Sequence, residues 1–416
     1  MTQTCCPEYA ELSRRGFLTG AAALVGTSTL FGSTLLTVTA SAAAAPARST
    51  MVVLSLRGAA DGLSLVVPHA DPQYYAARPR IAIPAGTLLA KDAQFGLHPN
   101  LAPLLPLWNG GKLAAVHATG LPAPNRSHFA AMEEVEDADP GSAARVGWLN
   151  RLIGVDTNAS PLQAFSVSGG VAPTSLAGPQ PFLSAWSVDD MQISGDDTYD
   201  PEGRRLRSLH TLWDGASSEL TGAMASTFHA NSDFQPVRET PANPANGAAY
   251  GGSDLGEALR TAARVIKGDV GVEVITVDHG DWDMHIDLGT LEWGRMDRLT
   301  TELAQALAGF FTDLGSLGDR VTVVVLSEFG RRVQENANYG LDHGYGNVMF
   351  LLGAGVKGGQ YYGSWPGLSN DLDSDLLVTT DYRSVLAEVV STRFGVSTAS
   401  VFPQFQPDML GLMRTT

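Results

Sequence analysis

Cysteine is almost absent from this chain of 416 residues: the two present are Cys5 and Cys6. Both lie ahead of a mildly apolar segment that reads as a removable leader. A mature chain without them excludes a disulfide framework, a thiolate metal site and a cysteine nucleophile. Long runs of Lys and Arg are also missing. With 27 basic and 43 acidic residues the formal charge is −16, which speaks against a nucleic-acid partner and against docking on anionic lipid. Nor does the chain contain H-E-x-x-H, a Walker A loop, a G-x-S-x-G elbow or an internal repeat.

What is present begins with an address. Ser13-Arg14-Arg15-Gly16-Phe17-Leu18 opens a stretch whose only charge up to Ser49 is Arg48, rich in Ala, Gly, Ser and Thr. Residues 1–45 read as a twin-arginine export signal, with small residues at Ala40-Ser41-Ala42 and Ala42-Ala43-Ala44 as cleavage sites. Left uncleaved, the segment is long enough to anchor in a membrane; cleaved, the mature chain has no stable membrane span. Removing residues 1–42 takes away Arg14, Arg15, Glu8 and Glu11 and leaves the charge at −16. The expectation is a partner of the twin-arginine export machinery, destined for the periplasm, the cell envelope or the exterior. That route carries folded proteins, so it permits a cofactor loaded beforehand without requiring one.

The remainder, residues 46–416, reads as a single α/β domain. Apolar or β-branched runs at 51–56, 112–118, 271–277, 320–327 and 347–352 end in polar, Gly-containing loops and predict buried strands. Helical patterns follow at 255–267, 293–314 and 382–394; the second carries Met296, Leu299, Leu303, Leu307, Phe310 and Leu314 near 3.6 spacing. Strands alternating with helices imply a mostly parallel central sheet flanked by helices. The stretch of about 155–252 is crowded with Gly, Pro, Ser, Asn and Asp, with one helical pattern near 218–228. It reads either as an insertion that caps the sheet or walls the substrate site, or as a spacer.

In open α/β sheets, ligand-binding groups gather beyond the carboxyl ends of strands. After the run ending at Leu56 comes Arg57-Gly58-Ala59-Ala60-Asp61-Gly62. After Ala118 comes a Pro-broken loop and Asn125-Arg126-Ser127-His128-Phe129. After Val277 comes Asp278-His279-Gly280-Asp281-Trp282-Asp283-Met284-His285, and after Leu326 comes Ser327-Glu328-Phe329-Gly330-Arg331-Arg332, with Asp342-His343-Gly344 beyond. Of nine histidines, four lie in these clusters. The segment 278–285 is the most specific signal, because carboxylate and imidazole donors crowded into eight residues suit Zn²⁺, Mn²⁺ or Mg²⁺. Each acid and histidine there has a plainer alternative, as a turn cap or a backbone hydrogen bond. Ser127 is either the N-cap of a short helix or a nucleophile activated by a metal or by His128. Asp61 is either a turn residue or a first-strand ligand. Arg57 and Arg331 either clamp an anionic substrate or pair with nearby acids. Gly353-Ala354-Gly355-Val356-Lys357-Gly358 satisfies G-x-G-x-x-G, but the following Gly359-Gln360-Tyr361-Tyr362 does not continue as a helix, so it reads as a glycine turn.

Taken together, several motifs resemble the bacterial exported family known as domain of unknown function 1501, across about residues 50–412. They are Arg57-Gly58-x-x-Asp61-Gly62-Leu63, Arg126-Ser127-His128-Phe129, Gly147-Trp148-Leu149, Trp282-Asp283-x-His285, Ser327-Glu328-Phe329-Gly330-Arg331, Asp342-His343-Gly344, Val356-Lys357-Gly358-Gly359 and Thr379-Thr380-Asp381-Tyr382-Arg383. That family looks like a distant branch of the alkaline phosphatase and sulfatase superfamily. The resemblance implies an alkaline-phosphatase-like sheet between helices and two divalent ions serving a Ser/Thr or formylglycine nucleophile. Matched residue by residue, it makes Asp61 the first-strand ligand, Ser127 the nucleophile and Asp283 with His285 the Asp/His pair. Glu328 falls where the superfamily places Asp-His-Gly, and His343 is the last histidine. Phe329 stands where a histidine ligand is expected. Either the second site is incomplete, or Asp342-His343-Gly344 is the displaced Asp-His-Gly and Glu328 is a supporting acid. The lack of cysteine in the mature chain and of Ser-x-Pro-x-Arg near Ser127 disfavours formylglycine chemistry.

The leading expectation is an exported metal-dependent hydrolase or transferase acting on a phosphate, sulfate or related ester, including a small-molecule or glycan ester. Its catalytic side chains are Ser127, His128, Arg57 and Arg331. A divalent ion (Zn, Mn, Mg or Ca) is held by Asp61, Asp283, His285, Glu328, Asp342 and His343. The rivals are a non-catalytic envelope binding protein that retains the fold, and a purely structural metal.

Overall fold

The computed structural model describes residues 46–140, 142–155, 160–191, 201–213 and 219–414. The expected signal segment, 1–45, lies outside them. Among the described residues no helix is long and apolar enough to cross a membrane.

The residues form two compact units, the larger comprising 45–188 and 236–416. In it, nine strands make one sheet: β1 (Thr50–Leu56), β2 (Leu113–Gly120), β3 (Ala164–Val167), β4 (Leu183–Ala185), β5 (Val274–His279), β6 (Val321–Leu326), β7 (Asn347–Gly353), β8 (Gln360–Tyr362) and β9 (Thr380–Asp381). Their order is β8-β2-β7-β6-β1-β5-β3-β4, with β9 also beside β2. Pairing is parallel throughout except where β7 lies between β2 and β6, so β7 alone runs against the rest. The α/β class and mostly parallel sheet expected from the sequence are what the chain adopts.

At the centre, every residue of β1, β6 and β7 is buried. A strand covered on both faces needs a continuous apolar run rather than an alternating one, and Met51-Val52-Val53-Leu54 and Val323-Val324-Val325-Leu326 supply it. The covering helices are α1 (His128–Asp137), α2 (Trp148–Ile153), α5 (Asp254–Gly268), α6 (Arg295–Leu314) and α7 (Tyr382–Phe394). Residues of α1, α2 and α7 join Val53, Val116, Val324, Met349 and Leu351 in one core cluster. Leu303 and Leu307 of α6 face Val325, Phe350 and Leu352 across a small apolar cavity, on the opposite side of the pleat. The stripe expected on α6, from Met296 to Leu314, is buried at each of its six positions. Local chemistry fixes the helix ends: the Ser253 hydroxyl accepts from Gly256 N before α5, and the Asp381 carboxylate accepts from Arg383 N before α7.

The smaller unit, within 189–235, carries α3 (Arg204–Trp213) and α4 (Glu219–Asp233), where His210 stacks on Phe228 at 4.1 Å between ring centroids.

Two departures from the sequence reading bear on the site. The loop-rich stretch supplies β3 and β4, strands of only four and three residues, too short for a periodic signal. And β5 extends two residues beyond 277, because Asp278 and His279 pair with Ser55 and Leu56 of β1. Both therefore stand on the sheet and not in the loop.

Candidate metal centre

Because β7 runs against the other strands, its beginning lies at the edge where β1, β2, β5 and β6 end. Four loops meet there, those after β1, β2 and β5 and the one that joins β6 to β7. The loop after β2 leads into α1, whose first residue is His128; the loop after β5 carries Asp283 and His285; that between β6 and β7 carries His343. Close backbone approach makes this possible. A side chain at Gly58 (φ 109°) would lie 2.5 Å from Asp283 N, and one at Gly344 would lie 2.3 Å from the Arg331 carbonyl carbon.

Three imidazoles and one carboxylate converge. His343 Nε2 lies 3.0 Å from His128 Nε2 and 2.9 Å from His285 Nε2. Asp283 Oδ1 is 3.6, 3.2 and 3.7 Å from the Nε2 atoms of His128, His285 and His343. The donor atoms of His128, Asp283 and His343 all fall within 4.8 Å of one another, a group that could hold a metal ion, and His285 adjoins it through the other two.

Each imidazole is oriented from behind. His128 Nδ1 meets Glu328 Oε1 at 2.7 Å, His285 Nδ1 meets Asp342 Oδ1 at 2.9 Å, and His343 Nδ1 meets the Arg126 carbonyl at 2.8 Å. A carbonyl and an ionised carboxylate only accept, so each Nδ1 carries a proton and each Nε2 faces the centre. Burial opposes ionisation of Glu328 and Asp342, but hydrogen bonds from His128 and His285 hold both below the usual carboxylate range. Burial likewise opposes the Asp283 carboxylate, yet the three imidazoles and Arg331 hold it far below that range. Burial also disfavours the cationic form of His128, while Asp283 and Glu328 push its pKa up to about 9. A divalent ion held there would take the place of that proton. Phe329 packs against His128 and His343 at 5.0 and 5.1 Å and makes an apolar wall.

Not every expected site residue joins this group. Asp61 is fully buried, and Arg78 takes both its oxygens at 2.6 and 3.0 Å, so an internal ion pair replaces the expected first-strand ligand. Glu328, expected as a ligand, uses Oε1 for Gly58 N and His128 and Oε2 for Ser327. It stands behind His128, as Asp342 stands behind His285. Arg331 is buried with its guanidinium on the carbonyls of Gly58, Ala59 and Leu341 and on Asp283 Oδ1 at 2.6 Å; it braces the loops and leaves no nitrogen for a substrate. Arg57 pairs with Glu136 at 2.6 Å and Asp278 at 2.9 Å; burial works against its charge, but these two acids outweigh it and raise its pKa. Ser127 holds the N-cap position of α1, half-buried, yet its hydroxyl makes no capping bond. Asn336, which donates to the His285 carbonyl and to Asp342, and the partners Arg78 and Glu136 had no sequence signal, since each acts across a loop or between elements.

A family model described as "Protein of unknown function (DUF1501)" matches residues 108–389, which include His128, Asp283, His285, Glu328 and His343. No curated protein matches the chain. The solved structure titled "Crystal structure of Ps i-CgsB" is similar with a TM-score of 0.38 at 12% identity, over 85% of this chain and 74% of that one, a likeness too slight to carry an argument.

Proposed function

The chain belongs to the DUF1501 family, proteins of unknown function, and from that premise we propose that it is an exported metal-dependent hydrolase or transferase acting on a phosphate, sulfate or related ester. One observation carries the reading: three imidazoles, each oriented through Nδ1, turn Nε2 toward one another and toward Asp283. Nitrogen-rich donors of this kind suit Zn²⁺ ahead of Mn²⁺, and Mg²⁺ or Ca²⁺ least. When bound, such an ion polarises an ester oxygen and offsets the charge that develops on it. In this reading His128, His285, His343 and Asp283 hold it, Glu328 and Asp342 keep the tautomers, and Phe329 excludes water from one side. Ser127, next to His128 and free of a capping role, is the nucleophile. The fold is then a distant relative of the alkaline phosphatase and sulfatase superfamily that works with one ion, since Arg78 and His128 already engage Asp61 and Glu328.

The test is elemental analysis of wild type and His343→Ala, with turnover of a panel of aryl phosphates and sulfates by both and by Ser127→Ala. Near-stoichiometric Zn or Mn that is lost in His343→Ala is expected, together with a fall of at least about 100-fold in turnover for Ser127→Ala. A wild type that stays metal-free when Zn²⁺ and Mn²⁺ are supplied, or full turnover in both variants, overturns it. The apolar wall formed by Phe329 favours a second reading, an envelope binding protein with a bound but idle ion; metal binding without turnover of any ester would select it.

A further inference from the structure

The loop that carries Asp283 and His285 is gripped from one side by α6. Arg295, Arg298 and Glu302 follow an i, i+3, i+7 spacing and share one face of that helix. Glu302 Oε2 lies 3.2 Å from His279 Nε2, and the Trp282 indole N–H donates to His279 Nδ1 at 3.3 Å. Arg298 binds the carboxylates of both Glu302 and Asp281. Arg295 donates to the carboxylate and carbonyl of Asp281, and to the Asp283 carbonyl at 2.7 Å. Where the helix starts, Arg295 N and Met296 N donate to the carbonyls of Asp287 and Leu288 at 2.9 and 3.0 Å. Asp281 meanwhile has a φ of 74°, a left-handed conformation that a residue other than glycine keeps only when its surroundings hold it.

We propose that the Arg295–Arg298–Glu302 face of α6 is a positioning clip: it fixes Asp281 in its left-handed turn so that Asp283 and His285 present their donor atoms to His128 and His343. The inference rests on the metal-centre reading above. These are positioning residues, since none of their side chains reaches the converging donor atoms. Each ion pair is partly exposed and weak alone, so the clip works as a set.

Two variants of the full chain separate the clip from backbone strain. Asp281→Gly removes the carboxylate while relieving the left-handed φ, and Arg295→Ala removes the guanidinium. Co²⁺ alone is the probe, titrated by visible absorption, and amide hydrogen exchange over residues 280–286 is followed in metal-free protein. Expected in both variants are a roughly 10- to 100-fold rise in Kd for Co²⁺, an altered cobalt spectrum, and about tenfold faster exchange in the loop with the melting temperature little changed. If strain relief were all that mattered at Asp281, glycine would serve as well as aspartate. Affinities within about twofold of wild type with unchanged exchange overturn the proposal. If wild type takes up no Co²⁺, the metal-centre reading fails and exchange alone decides the clip: acceleration in the variants retains it, and unchanged exchange overturns it.

Discussion

Arg78 and Asp61 are both fully buried and form a two-point ion pair. Removing two charges from water costs several kcal/mol apiece, which a two-point guanidinium–carboxylate contact offsets only while both partners remain. Asp61→Asn should therefore cost about 3–5 kcal/mol of stability, read from urea unfolding, with the metal content of the folded fraction unchanged. A loss of metal with stability intact would restore Asp61 to the ligand set. The sequence could not distinguish these roles. Asp61, Asp283, Glu328 and Asp342 all stand near a motif histidine or arginine, and which oxygen meets Nε2, Nδ1 or a guanidinium is a matter of spatial distance. Arg78 lies 17 residues from its partner, beyond any local pattern. Donor types were legible, whereas their division into ligands and supports was not.

Elements were read more easily than residues, because a strand buried on both faces and a helix with one buried stripe leave distinct periodicities. The helix at 382–394 and the α6 stripe emerge as expected; β3, β4, β8 and β9, none longer than four residues, do not. Two elements also carry buried histidines that no motif singled out. His98 sits before a short 3-10 helix and accepts from Asn100 N through Nδ1 at 3.1 Å, which requires the neutral ring. On β2, His117 lies among Phe95 and Trp365. Burial pushes the pKa of both down to about 4. In an unfolded chain a histidine titrates near ~6.5, so below that pH the unfolded state binds protons that the folded state refuses. Their contribution is therefore complete above pH ~6.5 and is lost as the pH falls towards about 4, by up to about 3 kcal/mol per residue. Urea midpoints measured from pH 7 to 4.5 should fall, and His117→Phe should flatten that fall. An identical slope in the variant would show that His117 takes up its proton as readily folded as unfolded.

For the whole molecule, the first expectation is about location. We propose export through the twin-arginine route, so that replacing Arg14 and Arg15 together by Lys should leave the protein in the cytoplasmic fraction, whereas wild type is recovered outside it; the same distribution for both would sink this. The acidic balance, −16 overall, disfavours a polyanionic substrate unless a bound ion offsets it locally. Sequence alone determined the α/β class, the central strands, the main helices and the kinds of chemical group at their ends, because each follows from periodicity and from residues close together in the chain. Tertiary structure alone decided which groups meet. Reversal of β7 returns His343 to the shared edge, His128 finds Glu328 and His343 at separations of 200 and 215 residues, and Arg78 neutralises Asp61, an acid that would otherwise count as a ligand. Coordination and ion pairing are set by ångström distances across strand registers, and such distances have no image in local sequence.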